Sequence, residues 1–345
     1  MDVIKLTQDF SEKYESFILG KEDTMLYASL VYRDMLMDIL GDEDYYLIAI
    51  EKDLIVGALP CFIHRNKKYG NVINSLPYYG SNGGIIADSG MVSDALVSEF
   101  KRVTKENQCV SSTIIGSPFN NNYSYYSNML KPDMISVRRG VITHLPCLQE
   151  GGEEELKRRI HGKKPQVLSD LRKARRNGVS IAIENTHEAF DFLKKTHNEN
   201  MSVIGGPAKR DSFFEYVQKK MIPNKEYNLF VARMNNQPIA SLLLFYFNKT
   251  VEYYVPVVVE EYRTYQALSL IIYEAMIEAM NRGYKNWNWG GTGMTMDGVF
   301  RFKMKWAAME YDYNYYTNIY DKAILKLNPK EVLTNYPNYY VFNFT

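Results

Sequence analysis

The chain has 345 residues, a formal net charge of +1, 46% hydrophobic residues and 23% charged residues. This length favours two domains, and this hydrophobic content is ample for a packed core. The balanced charge excludes a general attraction to nucleic acids. The three scattered cysteines exclude a disulfide framework, and the lack of a long apolar run excludes a membrane span. We therefore expect a cytoplasmic protein without a transmembrane segment.

The first part of the chain alternates short apolar strands with two helical patterns, which is typical of an α/β (α+β) domain. The predicted elements are a helix over 25–40, strands over 45–50, 54–63 and 72–79, a loop over 80–84, a helix over 92–103, and strands over 112–116 and 135–145. The segment Glu150-Gly151-Gly152 that follows is the predicted linker. We therefore place the first domain at residues 1–150.

The second part of the chain, residues 151–345, repeats this plan. The predicted elements are a helix over 165–177, a strand over 179–183, helices over 187–200 and 211–221, strands over 228–234, 238–247 and 250–259, a long helix, and strands over 287–289 and 311–320. Gly283 follows the long helix, where a left-handed cap is expected. The tail from 325 is predicted to form a short helix.

Two segments at corresponding places in the halves are alike. YLIAIEKDLIVGALPCF in the first half matches NLFVARMNNQPIASLLLFYF in the second, and both read as a strand, a polar turn and a second strand. Their recurrence in two parts of similar size indicates a duplicated α/β domain.

The stretch 253–306 organises the second half. It reads as a strand, a charged turn, a helix and a second strand, which together form a βαβ unit. The first N–H groups of such a helix have no partner within the helix and can hold a phosphate. This stretch is therefore the predicted site for a phosphorylated acyl carrier.

Three pieces of sequence carry a resemblance to a known group of proteins. They are LSDLRKARRNGVSIAI (168–183), the helix end Asn281-Arg282-Gly283-Tyr284, and NWGGTGMTMDGVFRFKMKWAA (288–308). With the polar turns and apolar strands before them, they resemble the GNAT acyltransferase fold. Two such halves resemble the Fem-type group, which comprises peptidoglycan-bridge aminoacyltransferases and relatives that include acyl-CoA N-acyltransferases.

The resemblance implies two tandem GNAT-like domains, each with a mixed, mostly antiparallel sheet flanked by helices. The domain at 151–345 is expected to carry the donor and catalytic sites. The implied activity is the transfer of an acyl group from acyl-CoA to an amine on a cell-envelope or polysaccharide precursor. Acyl-CoA is then a co-substrate, and no permanently bound cofactor or metal is expected.

Three residues are candidates for the chemistry. Lys303 stands on the lysine of the family's closing motif, and a cation there would stabilise the oxyanion of acyl transfer. Glu252 is the candidate base and Tyr254 the candidate proton donor, although strand alternation prevents Tyr253 and Tyr254 from facing the same side. A surface interpretation of Lys303 is also open, because Arg301, Lys303 and Lys305 alternate as on one face of a strand.

Two further sets of residues are binding candidates. The turn residues that would hold the donor are Arg263, Tyr265, Gln266 and Ala267. The candidates for substrate binding, through phosphates or the acceptor, are Arg172, Arg175, Arg176, Gly290 and Gly291.

Two other functions stay open. The basic run from Lys157 to Arg176 favours a transferase that uses aminoacyl-tRNA and acts on a peptidoglycan precursor. Gln266 and Leu268 stand where the GNAT turn has small residues, which favours a binding module without catalytic activity. A solvated basic helix face is the structural alternative for the basic run.

Overall fold

The computed structural model describes residues 1–78, 82–120, 122–292 and 296–343. The end of the predicted strand at 72–79 and the start of the predicted loop at 80–84 lie outside the described residues. The chain forms two compact units, Met1–Arg139 with Tyr311–Thr345, and Gly140–Glu310.

The helices and strands alternate along the chain. The strands are β1 (Asp2–Lys5), β2 (Glu43–Asp44), β3 (Leu47–Glu51), β4 (Leu54–Leu59), β5 (Phe62–His64), β6 (Asn71–Asn74), β7 (Ile86–Ala87), β8 (Cys109–Ile115), β9 (Met134–His144), β10 (Ser180–Ile183), β11 (Tyr227–Met234), β12 (Gln237–Phe247), β13 (Thr250–Val258), β14 (Asn286–Thr292) and β15 (Met309–Ile319). The helices are α1 (Ser11–Leu19), α2 (Leu30–Leu40), α3 (Gly90–Glu106), α4 (Tyr123–Leu130), α5 (Gly152–Lys163), α6 (Gln166–Arg176), α7 (His187–Ile204), α8 (Asp211–Lys220), α9 (Ala267–Asn281), α10 (Asp297–Met304) and α11 (Pro329–Asn335).

The boundaries of the two units differ from the predicted domains at 1–150 and 151–345. The chain passes between the units at 139/140, within β9, and returns at 310/311, within β15. The residues after 310 join the first unit because β15 pairs with β8, from Tyr315↔Ile115 to Ile319↔Ser111. The predicted linker at 150–152 instead completes a tight turn, in which the N–H of Gly152 donates to the carbonyl of Cys147 at the start of α5.

The first unit contains two sheets. One has the strand order β1-β3-β4-β7, and in the other, β15, β8, β6, β5 and β2 are successive neighbours. Most pairs are antiparallel, whereas β6 and β8 are parallel and are joined through α3. The apolar face of α3 packs on these strands through buried side chains that include Leu96, Phe100 and Val103.

The second unit repeats this arrangement with a larger core. Its strands follow the order β10-β11-β12-β13-β14-β9. β13 and β14 are parallel and are joined through α9, whereas β10 to β13 are antiparallel. Helix α9 is buried nearly all round, and Trp287, Trp289 and Trp306 are buried in the same core. The predicted mixed, mostly antiparallel sheet flanked by helices is confirmed.

The hairpins that suggested a duplication have the same backbone geometry. Lys52 and Asp53 at the β3–β4 turn have φ values of 48° and 66°, and Asn235 and Asn236 at the β11–β12 turn have φ values of 50° and 65°. Positive φ at both central residues is the type I′ arrangement that matches strand twist. Each hairpin also has a register shift beside its turn.

A histidine anchors the C-terminal segment within the first unit. His64 Nδ1 lies 2.8 Å from a carboxylate oxygen of Asp42, and Nε2 lies 2.9 Å from the carbonyl oxygen of Asn335. Both partners only accept hydrogen bonds, so both ring nitrogens donate only when the imidazole is charged. The Asp42 carboxylate accordingly raises the pKa of His64 above its usual value.

We expect this anchor to make stability depend on pH. Because the pKa of His64 is raised by folding, its contribution is complete below the unfolded pKa and is lost as the pH rises through the folded pKa. In urea unfolding, His64→Gln should therefore cost about 1 kcal/mol more at pH 5.5 than at pH 8. Asp42→Asn removes the charged partner and should abolish this difference. An equal cost of His64→Gln at both pH values would contradict the anchor.

Candidate functional site

The candidate site lies at the carboxyl ends of the parallel strands β13 and β14. Over the described residues, their pairing runs from Thr250↔Asn286 to Glu252↔Asn288, whereas β13 continues to Val258. Beyond Glu252↔Asn288, the backbone N–H and C=O groups of β13 and β14 that face each other are therefore outside the hydrogen-bond ladder of these two strands. Since carboxyl ends of parallel strands meet at one edge of a sheet, the turn after β13 and the glycines that end β14 lie at the same edge.

Lys303 reaches this edge from α10. Its Nζ donates to the carbonyl oxygens of Gly290 and Gly291, at 3.2 and 3.3 Å, and to Thr292 Oγ1 at 2.8 Å. Its side chain is buried, and burial lowers the pKa of the ammonium to about 8. The strand interpretation of 301–305 is wrong, because Lys303 lies on a helix and points inward.

The contacts of Lys303 decide what its charge can do. An ammonium has three N–H donors, and here three neutral oxygens occupy them. These partners hold the cation in place without neutralising it. Such a charge attracts an anion, such as the oxyanion of acyl transfer, more strongly than a lysine in water would. Gly290 and Gly291, predicted to bind substrate, contribute their carbonyl oxygens to the position of this lysine.

Glu252 is connected to the same glycines. Its carboxylate is buried and accepts a hydrogen bond of 2.8 Å from Asn288 Nδ2, on the neighbouring strand. Asn288 Oδ1 in turn accepts the backbone N–H of Gly290 at 2.9 Å. A continuous line of polar groups therefore runs from Glu252 to the carbonyl that accepts from Lys303.

The two tyrosines of β13 face opposite sides of the sheet. Tyr253 packs on Trp289 in the core, with ring centroids 4.9 Å apart. Tyr254 contacts Phe245 at 4.8 Å and stacks on Phe213 at 5.5 Å. Phe245 is the cross-strand partner of Glu252, so Tyr254 and Glu252 lie on the same face.

A second lysine, which the sequence did not single out, approaches Tyr254. Lys209 lies between α7 and α8, and its Nζ is 4.5 Å from the ring centroid of Tyr254 and 5.1 Å from that of Phe213. Its backbone N–H donates to His197 Nε2 at 3.1 Å. Burial lowers the pKa of Lys209 to about 7 and that of His197 to about 4, so His197 is neutral and its Nε2 can accept.

The predicted donor turn forms a 3₁₀ segment, Glu260–Tyr265, that leads into α9. Arg263 is exposed and paired with Glu260 at 2.6 Å. Gln266 precedes the helix without a side-chain cap, and Ala267 is buried in the first turn. The first N–H groups of α9 therefore have the orientation that binds an anion.

The backbone conformation at Gln266 explains why the family pattern has a glycine at this position. Gln266 has a φ of 62°, in the left-handed region. A residue with a Cβ pays about 1–2 kcal/mol there, whereas glycine does not. The departure from the pattern thus changes the side chain and leaves the backbone in the glycine-like conformation.

We expect Gln266→Gly to stabilise the protein by up to about 1 kcal/mol, after subtraction of the larger chain entropy that glycine has when unfolded. Urea unfolding measures the effect. Gln266→Ala is the matched control, since it removes the contact with Ser269 Oγ and keeps the Cβ. A gain in the alanine variant as large as in the glycine variant would show that strain at this φ is not the cause.

The basic helix α6 keeps part of its charge available. Val167, Leu171 and Ala174 form its buried face, and its basic residues between 172 and 176 are exposed. Arg175, a predicted phosphate ligand, is paired with Glu274 of α9 at 2.6 Å. Arg172 and Arg176 are exposed at i and i+4, on one side of the helix. Among the described residues, neither of these two arginines has an ion-pair partner, unlike Arg175.

Asn288, Thr292 and Lys209 belong to the candidate site but were not predicted from the sequence. Asn288 lies between two tryptophans in an apolar strand, and a polar residue in that position is a signal of a buried hydrogen bond. Lys209 follows Gly205-Gly206-Pro207, and such loops often carry functional residues. Neither signal identifies a partner, because the partners are distant in sequence.

Comparisons with known proteins agree with this architecture. The FemAB family matches residues 172–313. The crystal structure of FemX is similar with a TM-score of 0.72 at 12% identity, over 91% of this chain and 97% of that chain. A tandem GNAT protein from the clavulanic acid biosynthesis pathway is similar with a TM-score of 0.52 at 8% identity, over 93% of this chain and 98% of that chain.

A third similar structure is the C-terminal domain of a candidate lysylphosphatidylglycerol synthetase from Agrobacterium fabrum. Its TM-score is 0.58 at 14% identity, over 94% of this chain and 96% of that chain. No curated protein matches the sequence. Among the helices that the structure describes, none is both long and apolar enough to cross a membrane. The described residues also contain no group of histidine, cysteine and acidic side chains placed to hold a metal ion.

Proposed function

We propose that the chain is a transferase that moves an acyl or aminoacyl group onto an amine of a cell-envelope precursor, because the FemAB family matches residues 172–313 and the fold is similar to that of FemX and of a tandem GNAT protein. The observation that carries this proposal is the buried ammonium of Lys303, held by three neutral oxygens at the open end of β14. A fixed cation whose three hydrogen-bond partners are neutral suits a reaction in which negative charge develops on a carbonyl oxygen.

In the proposed reaction, the acceptor amine attacks the donor carbonyl at the edge where β13 and β14 end. Lys303 stabilises the oxyanion through its charge. Glu252 and Asn288 fix the backbone of Gly290 and hence the position of the lysine. Positioning of the two substrates supplies much of the remaining rate enhancement.

Acyl-CoA is the first donor class that we propose. The N-terminus of α9 has the geometry for a phosphate, and Arg263 and Tyr265 precede it in the turn. The backbone groups beyond Glu252↔Asn288 lie outside the strand ladder and can pair with the amides of an extended pantetheine chain. Gln266 is the feature that opposes tight binding, because its side chain occupies the position of the expected glycine.

Aminoacyl-tRNA is the second donor class. The exposed Arg172 and Arg176 on α6 favour it, since a polyanion binds to a basic helix face. The name of the similar Agrobacterium protein also refers to an aminoacylated lipid. On this proposal, binding of tRNA weakens as salt rises, and Arg172→Glu with Arg176→Glu reduces the slope of that dependence. Lys195→Glu on α7 is the control for a charge reversal elsewhere.

A mass-spectrometric screen tests the proposal. Acetyl-CoA, longer acyl-CoAs and aminoacyl-tRNAs are each combined with amine-bearing peptidoglycan precursors, and the mass of every product is compared with a reaction that lacks protein. A product that requires Lys303 supports the transferase and identifies its donor. Lack of product with all donors, together with retained binding of one of them, would favour a binding module without catalytic activity.

A further inference from the structure

The transfer to an amine needs a group that accepts a proton from the attacking nitrogen. Lys303 is poorly suited to this role, because a neutral lysine would have to give up one of the three hydrogen bonds that hold it. Glu252 is oriented by Asn288 in the interior. Lys209, beside Tyr254, is a further titratable amine on the same face of the sheet.

The position of Lys209 is set from two sides. The N–H of its backbone is fixed by His197 of α7, so the stem of the side chain leaves from a defined point. Its Nζ then lies over the rings of Tyr254 and Phe213. These two rings stack on each other, and Phe213 belongs to the first turns of α8. The amine is therefore held against an aromatic wall rather than extended into water.

We propose that Lys209 is a further catalytic residue, which takes the proton of the acceptor amine as the new C–N bond forms. This inference rests on the proposed transferase function and assigns the base of that reaction. Tyr254 and Phe213 position the lysine, and His197 positions its backbone.

The proton transfer balances without a further reactant. The neutral amine of the acceptor attacks the donor carbonyl, and the resulting nitrogen passes one proton to the neutral Nζ of Lys209. The C–S bond of a thioester or the C–O bond of an aminoacyl ester then breaks. The leaving thiolate or alkoxide takes the proton from the Lys209 ammonium, directly or through water, and the lysine becomes neutral again.

The charged groups around Lys209 are consistent with this role. His197 of α7 is neutral, and Asp211 at the start of α8 lies 3.4 Å from Lys194, with which it pairs. Glu252 and Tyr254 face the same side of β13, and Arg210 follows in the chain. The aromatic faces favour the charged form of Lys209, whereas burial disfavours it. Burial is the larger effect and lowers the pKa of Lys209 to about 7. A lysine of that pKa is close to half neutral at neutral pH.

Competitive labelling with acetic anhydride measures the protonation state of Lys209 and needs no substrate. Only neutral amines react, so the extent of acetylation of each lysine is measured by peptide mass spectrometry between pH 5 and 10. Lys195, whose side chain is 78% exposed, is the internal reference. We expect the reaction of Lys209 to reach its midpoint near pH 7 and at least two pH units below that of Lys195. Coincident midpoints would overturn the proposal.

The second measurement uses the donor and acceptor found by the screen. Lys209→Met should lower the rate at pH 7 by about 10²-fold, a typical contribution of a general base. Lys209→Arg should lose as much, because arginine keeps its proton, and added ethylamine should restore part of the activity of Lys209→Ala. Retention of activity within twofold in Lys209→Met would overturn this role and leave the transferase intact. If the wild-type protein has no transfer activity with any donor, that result would instead contradict the proposed function and, with it, this role of Lys209.

Discussion

Replacement of Lys303 by methionine is expected to lower the rate of transfer by about 10²–10³-fold, the usual loss when one preorganised donor to an oxyanion is removed. Methionine fills a similar volume, so the change removes the charge and keeps most of the packing. The rate should fall without a matching rise in KM, because the cation acts on charge that exists only in the transition state. Steady-state kinetics with the donor from the screen measure both quantities.

Lys305→Met is the matched control for Lys303→Met. Lys305 follows two residues later, is half-buried and lies 4.5 Å from the ring centroid of Phe302, so its removal changes charge and packing nearby. We expect its activity to stay within about threefold of the wild type, and thermal unfolding shows whether both variants keep the fold. Equal losses in the two variants would indicate a general effect of basic charge and would contradict the specific role of Lys303.

The sequence was sufficient to predict the structural features that depend only on residues close together in the chain. The two type I′ hairpins follow from Glu51-Lys52-Asp53 and Asn235-Asn236-Gln237, polar turns between alternating apolar strands. Gly283 has the predicted positive φ of 84° after α9. Each of these is decided within a few residues along the chain.

The features that depend on distant partners were not predictable. The return of residues 311–345 to the first unit is decided by the pairing of β15 with β8, and strand composition does not specify which strand is the partner. The alternation of Arg301, Lys303 and Lys305 fits a strand as well as a short helix. The segment forms a helix because a helix brings Phe302 and Trp306 into contact with the core around Trp289. Lys209 was missed for the same reason, since the aromatic residues beside it come from α8 and β13.

The alkaline limb of the pH–rate profile should report the charge of Lys303. Burial lowers its pKa to about 8, so the ammonium is present below that pH and is lost above it. We therefore expect kcat/KM, calculated for the neutral form of the acceptor amine, to fall about tenfold per pH unit above pH 8. An acceptor amine changes in the opposite direction, because it becomes more nucleophilic as it loses its proton. A fall above pH 8 therefore cannot come from the acceptor.

Lys303→Arg identifies the group behind this limb. A guanidinium stays charged throughout the accessible range, so the alkaline fall should move above pH 10 in this variant, whatever the loss in its absolute rate. The acid limb, which the proposed base Lys209 places near pH 7, should stay where it is. An alkaline limb that stays near pH 8 in Lys303→Arg would assign that ionisation to another group and would separate the buried cation from the chemistry.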